Sequence, residues 1–236
     1  MDFLTPLSPL ALTAGVGLVL GLRHAFEPDH LAAVSTLATR EGRLWPAARL
    51  GLLWGTGHTV AVGAVALAVI ILGVRLPEAF WPWAEAGVGV LLVILGGAVV
   101  WRYARGRWHM HRHAHGSDAH LHLHSHASGR DHAHAHPRGD PLRSLGFGVA
   151  HGLAGSGAVM ALIVAAAPGA VAQATYFVAF GVGTIVGMLV VSLVLGTIVR
   201  AAAGRGETWA AVLHLSSAGA SIVIGLLLVS TLIPRA

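Results

Sequence analysis

The chain has 236 residues, of which 55% are hydrophobic and 11% charged, with a formal net charge of +5. Such a chain is too apolar and too poor in charge for a soluble domain of ordinary composition, so the lipid bilayer is its expected solvent. The absence of cysteine excludes a disulfide framework, a thiolate metal site and a dithiol relay.

A helix needs about 20 apolar residues to span a membrane. Six segments qualify, near residues 7–37, 50–72, 83–101, 145–166, 171–199 and 209–233. The expected fold is therefore an all-α polytopic membrane protein with about six transmembrane helices. Residues 1–22 lack a basic leader region and a small-residue cleavage site, so they are expected to stay in the mature protein.

The first segment is overlong and holds Arg23, His24, Glu27, Asp29 and His30 around Pro28, which predicts a helix broken near that proline. An ionisable side chain within a span costs about 2.5–3.5 kcal/mol on insertion scales, so several together call for a partner or a water-filled path. A divalent cation would partner Asp29. Neutral imidazoles suit nickel, cobalt, zinc or copper better than magnesium or calcium. On an ideal helix His24 and His30 point about 120° apart, and Asp29 about 140° from His24, so a straight helix would not converge them. Pro28 lacks an N–H and would leave the carbonyl of residue 24 unbonded, allowing a distorted turn whose side chains and backbone oxygen face one ion. The competing explanation is an ion-pair cluster of Arg23 with Glu27 and Asp29 at a helix end.

The second segment contains Leu50-Gly-Leu-Leu-Trp54-Gly-Thr56-Gly57-His58-Thr59-Val60. Its glycines let another helix approach, and His58, with Thr56 or Thr59, puts polar groups at that contact. His58 is a candidate ligand, although a hydrogen bond across helices would also account for it.

After the third segment comes a polar, low-complexity stretch, 104–141, expected to be a flexible loop without a core of its own. It holds eleven of the sixteen histidines: His109, His111, His113, His115, His120, His122, His124, His126, His132, His134 and His136. Free imidazole titrates near pH 6.5, so at cytosolic pH these side chains are mostly neutral and able to ligate weakly. The loop reads as a metal buffer or collecting arm, against the bland alternative of a tolerated insertion.

The fourth segment carries His151-Gly-Leu-Ala-Gly155-Ser156-Gly157, whose small residues suit close packing and whose histidine is a supporting or alternating ligand. His214, near Trp209 at the start of the last segment, reads as an interfacial histidine.

All fifteen non-histidine basic residues are arginine. Twelve flank the connections after the first, third and fifth segments, and only Arg75 and Arg235 lie on the opposite side. The positive-inside rule then puts the histidine-rich loop in the cytoplasm and both termini outside it. No nucleic-acid partner is expected from this basic balance.

The halves also resemble each other. Gly21-Leu-Arg-His24 lines up with Gly148-Val-Ala-His151 at an offset of 127, and Trp54-Gly-Thr-Gly-His58 with Phe180-Gly-Val-Gly-Thr184 at an offset of 126. Three spans per half fit an inverted 3+3 repeat with a binding site near the midplane. The expected division is residues 1–103, a first three-helix repeat; 104–141, the loop; and 142–236, the second repeat.

Arg23-His24-Ala25-Phe26-Glu27-Pro28-Asp29-His30-Leu31 resembles the signature of the nickel/cobalt transporter superfamily, R-H-A-x-D-A-D-H-I. Leu50 to Val60 resembles that family's second motif, L-G-x-x-F-x-x-G-H-S. Glu27 and Pro28 replace Asp-Ala, Trp54 replaces Phe and Thr59 replaces Ser. The stretch at His151 is similar to smaller bacterial members of the urease-accessory type. The resemblance implies transport of nickel or cobalt, with His24, Asp29, His30 and His58 at positions the family uses for metal.

Two other classes compete. An anion carrier would want helix N-termini and arginines at the midplane, for which Arg23 alone is thin support. An intramembrane zinc protease would need His-Glu-x-x-His, and His24 is followed by Ala25. A serine protease could only enlist Ser156 with His58 or His214. No enzyme and no prosthetic group are expected; the metal is cargo. The expected partners are the ion and the bilayer and not nucleic acid, with a metallochaperone or a second copy of the chain left open. The expected location is the bacterial inner membrane, with the direction of transport and the energy source undecided.

Overall fold

The computed structural model describes residues 8–38, 44–72, 77, 79–105, 108–115, 118–125, 141–155 and 169–233. Seven helices lie among them: α1 (Pro9–His24), α2 (Pro28–Ala38), α3 (Leu44–Leu72), α4 (Phe80–Ala104), α5 (Pro141–Gly155), α6 (Ala170–Arg205) and α7 (Glu207–Ser230). Within these residues α3, α4, α6 and α7 are long and apolar enough to cross a membrane, and the bent pair α1–α2 makes a fifth span if the two are counted as one. The protein is thus a polytopic helical membrane protein. The fourth expected segment is described only as far as Gly155, and Ser156 to Ala166 lie outside the described residues.

Helix α1 starts with Pro9 in its first turn, where a missing N–H costs nothing, and the Ser8 hydroxyl accepts the Ala11 amide at 3.3 Å. It ends at His24 in tight turns: the Phe26 amide donates to the Arg23 carbonyl at 2.9 Å and the Glu27 amide to the His24 carbonyl at 3.0 Å. Pro28 then opens α2, which leaves at 56° to α1. The break falls where the proline predicts it. The reason differs in one respect: the His24 carbonyl is not left unbonded, because the Glu27 amide in a shortened turn donates to it.

The outward faces of the long helices are apolar, with Val60, Ile94, Val178 and Leu227 all exposed, as lipid contact requires. Trp83 and Trp101, near opposite ends of α4, are exposed too. They stand about 27 Å apart along the axis, close to the thickness of the hydrocarbon core. Tryptophans so placed mark the two membrane interfaces. Helix α6, with 36 residues, runs about 54 Å and must tilt or project beyond that core. Gly206, at φ 126°, a backbone conformation glycine adopts freely, separates α6 from α7.

Inside, α1 packs along α6, α3 along both α5 and α6, and α4 along α7. Glycines set the separations. Gly21 lies against the Phe180 carbonyl and Gly183 against the Leu18 carbonyl and the Leu22 amide. Gly148 lies against the Trp54 carbonyl and Gly57 against the Leu145 carbonyl and the Val149 amide. A methyl group on Gly148 would come within 3.0 Å of the His58 amide nitrogen. Gly148→Ala should therefore push α5 off α3 and destabilise the protein by about 1–3 kcal/mol, the usual range for overpacking. Heating the detergent-solubilised protein and measuring what stays monodisperse would check this.

Part of the histidine-rich segment lies among the described residues. Trp108–His115 pairs antiparallel with Asp118–Ser125, in a register that sets His109 opposite His124, His111 opposite His122 and His113 opposite His120. His126, His132, His134 and His136 lie outside the described residues.

Candidate metal centre

The break between α1 and α2 turns a sequence cluster into a spatial one. His24 ends α1, and Asp29 and His30 sit in the first turn of α2, where a carboxylate is favoured by the helix dipole. His58 comes from α3 and His151 from α5. His24 is 7% exposed, His30 and His58 1% each and His151 0%, while Asp29 is partly buried. All five residues expected from the sequence to form the site come together.

The contacts are short. His24 Nε2 lies 3.1 Å from His58 Nε2. Asp29 accepts from both of its neighbours through different oxygens, from His30 Nδ1 at 3.1 Å and from His151 Nε2 at 3.0 Å. The His30 ring lies among the others, its centroid 4.4 Å from His24, 5.0 Å from His58 and 4.3 Å from His151. Among the described residues two groups have ligand atoms within 4.8 Å of one another: His24, His30 and His58, and Asp29, His30 and His151.

Tautomers follow from these partners. A carboxylate only accepts, so His30 presents Nδ1–H and His151 presents Nε2–H to Asp29. That leaves lone pairs on His30 Nε2 and His151 Nδ1, and neither atom has a partner. Glu27 Oε2 lies 2.9 Å from His24 Nδ1, which puts the His24 proton there and its lone pair on Nε2. His58 Nε2–H then donates to His24, and His58 Nδ1 is likewise buried without a partner. Unmatched acceptors buried beside a carboxylate are what a cation would satisfy.

Sequence reasoning grouped Glu27 with the cluster but gave it no task. The structure places it behind His24, where a carboxylate fixes the ring and raises its basicity. Glu27→Ala should weaken apparent metal affinity by about 10–100-fold, the usual cost of losing such support. Concentration-dependent uptake in cells or proteoliposomes would measure it. The ion-pair alternative does not hold: Glu27 faces His24, Asp29 faces two histidines, and Arg23 is exposed with neither acid as its partner.

Two aromatic residues close the cluster and were not singled out beforehand. Phe180 from α6 packs against His24 at 5.4 Å between centroids, and Trp54 from α3 packs against His151 at 5.7 Å. Their lining-up at an offset of 126 and, for Trp54, its place in the second motif were the signals in the sequence. Thr56 turns away, its hydroxyl donating to the Leu52 carbonyl at 2.8 Å. His214, expected near Trp209 as an interfacial histidine, is buried within α7 and belongs to neither ligand group.

Apolar helices around a buried set of nitrogen and oxygen donors define a membrane transporter of a transition-metal cation. The NicO family, described as high-affinity nickel-transport protein, matches residues 10–139. The chain is 34% identical to the urease accessory protein UreH of Bacillus sp. (strain TB-90) over 83% of this chain and 79% of that protein. It is also 24% identical to the chloroplast protein FOR GROWTH AND FERTILITY 2 of Arabidopsis thaliana, over 90% of this chain and 56% of that one. No solved structure matches. The chain belongs to the NicO family, and its activity is transmembrane transport of a divalent metal cation of the nickel and cobalt kind.

Proposed function

We propose that the ion passes through the cluster of His24, Asp29, His30, His58 and His151, with the first three as primary ligands, His58 as a further one and His151 contributed by the second half. The observation that carries this reading is the meeting of these side chains, from four helices, in a buried centre with unpartnered ring nitrogens. Mixed nitrogen and oxygen donors without thiolates bind a borderline metal tightly enough to select it and loosely enough to release it.

Six spans in a 3+3 inverted repeat are supported by the packing. Moving from α1 to α5 at an offset of 127, and from α3 to α6 at 126, carries the Gly21–Phe180 contact onto Gly148–Trp54. The same move carries Gly57 against Leu145 and Val149 onto Gly183 against Leu18 and Leu22. It also carries His58 onto Thr184, whose hydroxyl donates to the Phe180 carbonyl at 3.0 Å. Residence in the bacterial inner membrane with the histidine-rich segment in the cytoplasm rests on the arginine distribution. That segment collects or buffers metal, and replacing its histidines should change apparent affinity without abolishing transport. The protein acts as a carrier and not an enzyme; Ser156, on which a protease reading would depend, lies outside the described residues.

The test is accumulation of radiolabelled nickel in cells stripped of their own carriers, comparing the intact protein with His24→Ala at matched expression. Accumulation above the variant means import, and below it export. Equal accumulation with nickel and then with cobalt would remove the reading.

A further inference from the structure

Resting on the transport site above, we infer that the cluster is two subsites sharing His30, occupied in turn by a single divalent ion. One subsite is His24, His30 and His58; the other is Asp29, His30 and His151. His30 Nδ1 is held on Asp29 at 3.1 Å, so Nε2, buried and unpartnered, is the nitrogen left for the His24 and His58 side.

A neutral imidazole has one lone pair. With its proton on Nδ1, facing Asp29, His30 can ligate only toward His24 and His58. For the ion to sit between Asp29 and His151, His151 must carry its proton on Nδ1 in place of Nε2, and the His30 proton must pass from Nδ1 to Nε2, which closes the first subsite at that ring. The ring is neutral in both states, and its proton and the ion exchange sides. Adjacent weak sites of this kind let an ion enter and leave without a deep trap.

The surroundings agree with a hand-off. The first subsite has Phe180 against His24 and the second has Trp54 against His151. These residue pairs exchange under the repeat offsets, so each subsite sits beside its own aromatic wall and His30 lies between them. A single five-ligand site would give His30 no such position.

The test uses the full-length purified protein with Co2+ alone as probe, reading bound ions and the ligand-field absorption spectrum. Histidines of the 104–141 segment are the same in every protein compared and cancel in the differences. The intact protein should bind one Co2+ more than His30→Ala. His58→Ala and His151→Ala should each keep that ion, with affinity weakened about tenfold or more and with spectra that differ from each other. The double variant should lose it, and it supplies the same baseline if His30→Ala does not survive purification. Two extra ions in the intact protein, or loss of the ion in either single variant, would overturn the shared-residue hand-off while leaving a transport site. No difference between the intact protein and the double variant would remove the buried site altogether, and this inference with it.

Discussion

Asp29→Asn should reduce metal transport at least a hundredfold while leaving the protein in the membrane. Asp29 is the one carboxylate that directly bridges two of the clustered histidines, with one oxygen on His30 and the other on His151. Asparagine has nearly the same shape but keeps one acceptor and presents an NH2 donor where the second oxygen was. That donor would meet a histidine N–H unless the ring changed tautomer. The larger loss is the charge: a divalent ion leaving water would meet neutral donors alone, and in a poorly solvated interior the missing carboxylate charge costs far more than it would in water. Removing the charge also relieves the burial of an ion, so the folded protein should not suffer in proportion. Uptake of radiolabelled nickel by the variant, beside the amount extracted from membranes, separates the two effects. Normal transport by Asp29→Asn would mean that the ion does not pass Asp29.

Much of this site was legible because its chemistry is local in the sequence. His24, Glu27, Asp29 and His30 stand within seven residues around a proline, and ionisable groups inside an apolar segment demand an explanation wherever they occur. The break at Pro28 was readable for the same reason: a residue without an N–H cannot continue the hydrogen-bond ladder. What the local pattern could not settle was the wiring of the break. A free His24 carbonyl was the natural expectation, yet the Glu27 amide takes it at 3.0 Å, because the chain tightens by one residue before the proline instead of stretching across it.

Long-range contacts were legible only through the repeat and the family motifs. His151 is 122 residues from Asp29 and stands among glycines that packing alone explains; its equivalence to His24 and the likeness of its stretch to a family motif were the pointers. The paired strands after α4 were not legible, since alternating histidine with other residues has the period of a strand but none of the apolar face that normally announces one. The burial of His214 was not legible either: five positions beyond Trp209, helical periodicity turns it from an exposed face to a buried one.

Trp54→Ala should destabilise the protein by about 3–5 kcal/mol, the range for truncating a large buried aromatic residue. Trp54 is fully buried, stacks on Phe147 at 6.1 Å with the rings 10° from parallel, and edges against His151. It lies where α3 meets α5, so the cavity left behind would be lined by the two helices that deliver His58 and His151. Lipid cannot fill it from outside, and in a membrane the packing itself holds helices together, with no gain from transferring apolar surface out of water. Trp54→Phe should lose clearly less. Its ring still fills most of the space against Phe147, and the substitution removes an indole N–H that is buried without a partner, a group costing about 1–3 kcal/mol to leave unsatisfied. Thermal midpoints of the two variants in one detergent would rank them, and nickel uptake would show whether the wall beside His151 also governs the ion's passage. If Trp54→Ala kept the stability of the intact protein, the contact between α3 and α5 could not be what positions His151, and the site would have to be held together from α1 and α6 instead.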